Sequence, residues 1–264
     1  MPLKTVAIIG TGNVAWHLAP ALDNAGYSVR EVYGRDKKNS KALTGRLYQA
    51  TDHSSLDFSQ SRTSIFIIAT ADSAIEEIAQ EIILPEEAVL VHTSGSQPMR
   101  ILEFTAASKI GVFYPLQRFR KSSRIRFEDV PIFIETEDDE VNAVLQTMAK
   151  TISKHVQPIT SVQRMALHIA ATIASTFTNH MLTISKDIVQ QNHLDYNLLK
   201  PLISETLSHS LENDPTRAQT GPAIQEDFQV LDQHVEFLQE QPAVAEIYRI
   251  VSQHIIDRFH NENE

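Results

Sequence analysis

The amino-acid sequence predicts an α/β protein in which a doubly wound, mostly parallel sheet is followed by an all-helical domain. Three observations support this fold class. Short apolar, β-prone runs alternate with helical patterns up to residue 158, as in parallel sheets whose faces are covered by helices. Seven of the eight glycines precede residue 112, so tight turns are concentrated in the first part. Residues 161–191 contain neither glycine nor proline, which favours a long helix.

Each predicted element rests on its own pattern of apolar residues. Strands are expected at residues 6–9, 28–33, 65–69, 88–92, 110–114, 131–135 and, more briefly, within 155–160. Between them, apolar residues recur at helical spacing over 14–25, 38–47, 72–81 and 138–154. Further helices are expected at 161–191, at 195–212 with a kink or an interruption near Pro201, at 225–239 and at 242–260. We therefore divide the chain into a first domain, 1–158, and a helical domain, 159–264.

Composition and charge exclude several classes of protein. Hydrophobic residues make up 42% and charged residues 21%, as in folded globular chains rather than disordered ones. A net charge of −10 repels phosphate backbones and anionic lipids, so neither nucleic acid nor a membrane is expected as a partner. The absence of cysteine excludes disulfides and thiolate metal sites, and we expect a cytoplasmic protein. The histidines lack zinc-site spacing, so no metal is expected.

A glycine-rich turn between the first predicted strand and helix carries the strongest chemical signal. Residues 10–15 read GTGNVA, a GxGxxA pattern in the context that dinucleotide-binding folds require. Gly10 permits the tight turn, Gly12 lets the backbone approach a diphosphate, and Ala15 lets the helix pack closely on the strand. Backbone N–H groups at the start of the helix would bind phosphate oxygens. The candidate cofactor-binding residues of this turn are Gly10, Thr11, Gly12, Asn13, Val14 and Ala15.

The end of the second strand is expected to recognise the adenosine ribose. Residues 33–38 read YGRDKK, and Arg35 could bind a 2′-phosphate, which favours NADP(H) as the cofactor. Asp36 could instead accept a hydrogen bond from the 2′-hydroxyl of NAD. A further alternative is that these charged residues are only the solvated start of a helix.

Two more loops should line the cofactor cleft, because ligands of open α/β sheets bind beyond the carboxyl ends of the strands. One loop contains Ala69, Thr70 and Ala71, and the other contains Thr93 and Ser94 within the sequence HTSGS at 92–96. The second loop could hold the nicotinamide side of the cofactor. The alternative is that HTSGS is a polar turn without a ligand.

A polar stripe crosses the long, otherwise apolar helix predicted at 161–191. His168 and Asn179 are eleven residues apart on it, so in an α-helix they point to the same side. An unperturbed histidine has a pKa of about 6.5 and could give a proton to a carbonyl oxygen or imine nitrogen, with Asn179 orienting the acceptor. Both are therefore candidate catalytic residues. The alternative is that both are interior polar residues that only fix helix packing.

Several segments together resemble one family of bacterial proteins. They are GTGNVAWHLAPAL at the start, IIATADSAI at 67–75, HTSGS, YPLQRF at 114–119 and LHIAATIASTFTNHM in the long helix. The chain resembles the predicted oxidoreductases that join a Rossmann-like NADP-binding domain to a helical C-terminal domain of unknown function. More distantly it is similar to pyrroline-5-carboxylate reductase, ketopantoate reductase and the deazaflavin-dependent NADP oxidoreductases. The resemblance implies NADP(H) binding and a homodimer formed through the helical domain.

These observations predict an NADP(H)-dependent oxidoreductase. Its substrate would be a small carbonyl or imine metabolite, reduced by hydride from the cofactor and a proton from the helical domain. The alternative is a catalytically silent NADP-binding or sensing protein that acts through a partner. Residues 225–227 read QED, without a cation that the family tends to have there, and this favours the alternative, whereas His168 on the polar stripe favours the enzyme.

Overall fold

The computed structural model describes residues 4–107 and 109–260, which contain an eight-stranded sheet. The strands are β1 (Thr5–Ile9), β2 (Ser28–Tyr33), β3 (Thr51–His53), β4 (Ile65–Ile68), β5 (Val89–His92), β6 (Lys109–Pro115), β7 (Ile132–Glu135) and β8 (Val156–Pro158). They lie side by side in the order β3-β2-β1-β4-β5-β6-β7-β8. All neighbouring strands are parallel except β6 and β7. The first six strands thus have the 3-2-1-4-5-6 order of doubly wound folds, which confirms the predicted fold class.

Four helices connect these strands and cover the sheet. They are α1 (Asn13–Asn24), α2 (Lys37–Thr44), α3 (Ile75–Glu81) and α4 (Asp139–Ile152). In β1, Val6 and Ile8 belong to one buried apolar cluster, and Ala7 and Ile9 belong to another that includes residues of α3. All four side chains are fully buried. This explains why β1 reads as a continuous apolar run: both faces of the strand are covered.

Capping side chains define where two of these helices begin. The carboxylate of Asp138 accepts hydrogen bonds from the backbone N–H groups of Glu140 and Val141 at 2.7 and 2.9 Å, which starts α4. Asp36 caps α2 in the same way through Lys38 and Asn39. Each cap satisfies N–H groups that have no partner inside the helix.

From residue 161 to residue 260 the chain is mostly helical. The helices of this part are α5 (Ser161–Ala171), α6 (Thr178–Gln191), α7 (Lys200–Glu212), α8 (Phe228–Phe237) and α9 (Pro242–His260). A π-helical segment, Thr172–Phe177, joins α5 to α6. The helix predicted at 195–212 is interrupted next to Pro201. Tyr196–Leu199 is a 3₁₀ helix, and Pro201 lies in the first turn of α7, where its missing N–H has no intrahelical acceptor to lose. Of the described helices, none is long and apolar enough to cross a membrane.

The chain divides into two compact units between Ile173 and Ala174. The first unit contains the sheet, α1–α4 and α5. The second unit contains α6–α9 and has a small core of Ala223, Leu231 and Ile256. The sequence predicted a boundary after residue 158, where β8 ends. The two compact units part later, after Ile173, so α5 groups with the sheet.

Candidate active site

The glycine turn lies directly after β1 and leaves the start of α1 open. Gly10 has φ +123°, and a Cβ there would lie 2.4 Å from the carbonyl oxygen of Ala69, so no side chain fits. Gly12 is the N-cap residue of α1, and no side chain caps the helix. The N–H groups of the first turn are therefore available to an anion. These features fit the diphosphate of a dinucleotide, and Ala15, fully buried, lets α1 pack against the sheet.

A cavity of about 260 Å³ extends from this turn to the end of β2. It is lined by Gly10, Thr11, Gly12, Tyr33, Gly34, Arg35, Asp36, Leu56, Thr70, Ala71, Ala74, Glu77, Ile78 and Glu81. Arg35 lies at the end where a ribose is expected. The Asp36 carboxylate is engaged as a helix cap, accepting from the N–H groups of Lys38 at 2.8 Å and Asn39 at 3.3 Å. The cavity thus combines an arginine with an acid that is already hydrogen-bonded.

The remaining residues predicted to bind cofactor have varied surroundings. Thr93 and Ser94 are buried. The Thr93 hydroxyl donates to the Ile68 carbonyl, and the Ser94 hydroxyl accepts from the N–H groups of Ser96 and Gln97. Both hydroxyls therefore hold the loop in shape. A further contact ties the chain after β6 to α1: the Asn13 side chain accepts a hydrogen bond from the backbone N–H of Lys121 at 3.3 Å.

His168, on α5, meets the loop after β5. Its Nδ1 atom is 3.0 Å from the hydroxyl oxygen of Tyr114 at the end of β6. Both side chains lie against Gly95: a Cβ there would be 2.3 Å from His168 Nδ1 and 2.7 Å from Tyr114 Cζ. Burial raises the pKa of Tyr114, so its hydroxyl stays protonated at neutral pH. The sequence predicted a role for His168 but did not identify Tyr114 as its partner.

A buried ion pair lies one helical turn before His168. The Arg164 guanidinium is almost fully buried, and its Nε donates to a Glu135 carboxylate oxygen at 2.7 Å. Its Nη1 donates to the carbonyl oxygens of Ser94 at 3.1 Å and Gly95 at 3.0 Å. The pair therefore fastens α5 to the same loop that Tyr114 and His168 contact.

Two further polar groups complete this loop. His92 is fully buried and accepts from the N–H of Ser94. Burial, together with the positive charge of Arg164, lowers the pKa of His92 to about 4, so it is neutral at physiological pH. Asp72, in the segment after β4, accepts a hydrogen bond from the Ser96 hydroxyl at 2.5 Å. In the sequence, this cluster was indicated by the segment HTSGS at 92–96. Its His92 and Ser94 side chains accept hydrogen bonds from backbone N–H groups of the same segment.

Asn179 lies in the second unit, near the start of α6. The expectation that it shares a side with His168 assumed an uninterrupted α-helix. The π-helical segment breaks this assumption, because its i→i+5 hydrogen bonds change the angle between successive residues. The eleven-residue spacing therefore no longer implies that His168 and Asn179 point to the same side. Among residues 4–107 and 109–260, no group of three or more His, Asp or Glu side chains is arranged to hold a metal ion.

Comparison with known proteins agrees with this geometry. Residues 5–95 match the family described as NADP oxidoreductase, coenzyme F420-dependent, and residues 130–255 match a domain of unknown function, DUF2520. No curated protein sequence matches the chain.

Solved structures also resemble this chain. A Bacteroides fragilis protein named as an NADP oxidoreductase is 35% identical, with a TM-score of 0.86 over 96% of this chain and 98% of its own. A Thermotoga maritima protein is 20% identical, with a TM-score of 0.73 over 98% of this chain and all of its own. The reductive aminase of Aspergillus terreus, in complex with NADPH and ethyl-5-oxohexanoate, is 13% identical, with a TM-score of 0.69 over 98% and 94%. The last two share the fold. The chain belongs to the family of NADP oxidoreductases in which this dinucleotide-binding domain precedes a DUF2520 domain.

Proposed function

We propose that this oxidoreductase reduces a small carbonyl or imine compound with NADPH, and that His168, oriented by Tyr114, supplies the proton. The proposal is carried by the 3.0 Å contact between the Tyr114 hydroxyl and His168 Nδ1, packed on Gly95 just beyond β5. This is the edge of the sheet at which doubly wound folds bind their ligands. A titratable side chain held there by a second group has the arrangement of a general acid.

Bound NADPH would supply the hydride that adds to the electrophilic carbon. The chain's own residues would place the substrate and provide the proton. As a general acid the ring must start as the imidazolium, in which Nδ1–H donates to the hydroxyl oxygen of Tyr114 at 3.0 Å and the ring is neutral once one proton has left. Nε2 is then the ring atom that holds the transferable proton. His168 gives this proton to the carbonyl oxygen or imine nitrogen as the hydride adds to carbon, so that one C–H and one O–H or N–H bond form.

Replacing His168 with glutamine tests this role. We expect kcat to fall by about 10²- to 10⁴-fold, because that is the usual contribution of a general acid. The measurement is NADPH oxidation with a panel of small cyclic imines and ketones, beginning with 1-pyrroline. NADPH affinity, measured by fluorescence, should stay within a few-fold. Tyr114→Phe should lower kcat less, because His168 keeps its ring but loses its orienting bond.

The control is His155→Gln, which changes an exposed histidine of the same unit. It should leave kcat unchanged. Full turnover in His168→Gln would refute the assignment. Tight NADPH binding by the wild-type protein without turnover of any compound in the panel would favour a silent binding protein instead.

The proposal specifies NADP over NAD. Arg35 lines the cavity near the expected ribose position, whereas the Asp36 carboxylate is engaged by the start of α2. An arginine suits a 2′-phosphate, because charge-assisted hydrogen bonds to phosphate are strong. Glu77 and Glu81 also line the cavity, and their charges oppose a phosphate, so the preference for NADPH would depend on Arg35.

A fluorescence titration with NADPH and NADH, on wild type and Arg35→Ala, measures this preference. We expect the variant to bind NADPH about 10- to 100-fold more weakly, in line with the loss of a charged hydrogen bond, and to bind NADH nearly as before. Arg30→Ala is the matched control, because Arg30 is an exposed arginine of β2, the strand that precedes Arg35, and does not line the cavity. Equal weakening of both cofactors would contradict a 2′-phosphate contact.

A further inference from the structure

Arg164 is buried, which is rare for an arginine side chain. It is 1% exposed and lies in the first turns of α5. A buried guanidinium is tolerated only when its charge is neutralised and its donors are satisfied. Here Glu135 neutralises it at 2.7 Å, and a second oxygen of Glu135 accepts from the Ser161 hydroxyl. The ion pair thus joins β7 to the start of α5.

The same guanidinium also holds the loop after β5. Its Nη1 donates to two successive carbonyl oxygens, those of Ser94 and Gly95, at 3.1 and 3.0 Å. His168 follows Arg164 by four residues, so both lie on one side of α5. One side chain therefore fixes the distance between the loop and the helix turn that carries His168.

The packing of His168 and Tyr114 against Gly95 leaves little room for movement. Only the missing side chain of Gly95 gives His168 and Tyr114 room, since a Cβ would approach them to 2.3 and 2.7 Å. A small movement of the loop toward α5 would push the two rings apart, and a movement away would leave them unsupported. The position of the Gly95 carbonyl thus controls the Tyr114–His168 hydrogen bond.

We propose that Arg164 is a positioning residue: with Glu135, it clamps the Ser94 and Gly95 carbonyls so that the loop supports the Tyr114–His168 pair. The inference rests on the proposed function for its consequence in catalysis. Its structural part, that Arg164 sets the state of the His168 ring, is independent of any substrate. Misplacement of a catalytic group by about 1 Å can lower a rate by about 100-fold.

The test compares the double variant Arg164→Met/Glu135→Gln with wild type. Changing both members removes the carbonyl clamp without leaving a buried charge unpaired. The control is Arg249→Met/Glu246→Gln, which removes an exposed arginine–glutamate pair of α9. The first readout is the ring ¹⁵N signals of His168, identified by their loss in His168→Gln. We expect the double variant, but not the control, to shift the Nδ1 signal in the same direction as Tyr114→Phe does.

The second readout is steady-state kinetics with NADPH and 1-pyrroline. We expect kcat to fall by about 100-fold, while NADPH affinity and KM change less than threefold. Arg164→Lys should recover only part of the rate, because an ammonium group cannot match the forked donors of arginine. It also gives the same spectroscopic comparison if the double variant does not fold.

The two proposals fail in different ways. An unshifted His168 signal in a folded Arg164 variant would overturn the positioning role, whatever the kinetics. Turnover that survives in His168→Gln would overturn the proposed function, while the ¹⁵N signals would still decide whether Arg164 positions the ring.

Discussion

His92 shows how the environment of one side chain can make the whole protein sensitive to acid. Its ring is fully buried beside Arg164, and both burial and that charge disfavour a second proton. The other charged group that acts on it, Asp72, favours protonation but has the smaller effect. A buried histidine that must stay neutral therefore lies at the centre of the candidate site.

The sign of the effect follows from the two pKa values. An unfolded histidine has a pKa near 6.5, whereas His92 in the folded protein has a pKa of about 4. Between these values the unfolded chain binds more protons, so the free energy of unfolding decreases as the pH falls. Lowering the pH from 7.5 to 5 should cost about 2 kcal/mol through this group alone.

Urea unfolding of wild type and His92→Asn at pH 7.5 and 5 measures this contribution. The asparagine oxygen can still accept from the Ser94 N–H but cannot titrate. We expect the variant to lose about 2 kcal/mol less than wild type over this interval. Because other titrating groups are the same in both proteins, an identical acid loss would show that His92 does not contribute.

At the scale of single elements, helix α4 offers a direct test of capping. It packs Val141, Leu145 and Met148 into the main core, so its stability contributes to that of the whole first unit. Asp138→Ala removes the side-chain acceptor for two N–H groups. We expect the free energy of unfolding to fall by about 1 kcal/mol, measured by urea unfolding.

The neighbouring substitution Asp139→Ala is the control. Asp139 lies in the first turn of α4 but does not cap it. Its loss should cost only a few tenths of a kcal/mol through the helix dipole. Equal losses in the two variants would mean that charge, rather than the cap, sets the stability of this helix end.

Elements were predictable where the pattern of apolar residues is local. The strand predicted at 28–33 and the helix predicted at 242–260 coincide with β2 and α9, because glycine, proline and the apolar period mark their ends. The sequence missed β3, since three residues are too short to show a period. It also missed the π-helical segment, since TIASTF contains no residue that distinguishes π from α. Strand β7 runs antiparallel to β6. This direction is a relation between two strands, so the residues of β7 alone do not indicate it.

At the scale of the molecule, one part of the candidate site is formed by consecutive residues, and the other part is formed by residues far apart in the sequence. The glycine turn could be found because its residues are consecutive and their chemistry is specific. The contact between Tyr114 and His168 joins residues 54 positions apart, and that between Glu135 and Arg164 joins residues 29 apart. Only the assembled sheet and α5 bring these residues together, so a single sequence could name His168 but not its partners.

The second unit leads us to expect a homodimer. Within the described residues, neither α6 nor α7 has a buried side chain, and α7 exposes Leu202, Leu207 and Leu211. Apolar helix faces of this kind usually mark an interaction surface. Light scattering should therefore give a mass of twice 29.6 kDa, and Leu202→Glu should increase the monomer fraction.

Tyr48→Glu is the matched control. It places the same charge at an exposed, large apolar residue of the first unit. It should leave the mass unchanged. A wild-type protein that elutes and scatters as a monomer at micromolar concentration would contradict the expectation.

The two outer strands of the sheet limit how it can associate with other sheets. Both β3 and β8 have three residues, and β8 ends in Pro158, which has no N–H to offer. Short edges of this kind give an incoming strand few hydrogen-bonding groups to pair with, and this is how natural sheets avoid edge-to-edge aggregation. When the protein is concentrated or partly heated, we expect its first unit to resist fibril-like growth, so that copies associate by side-chain packing and not by extending the sheet.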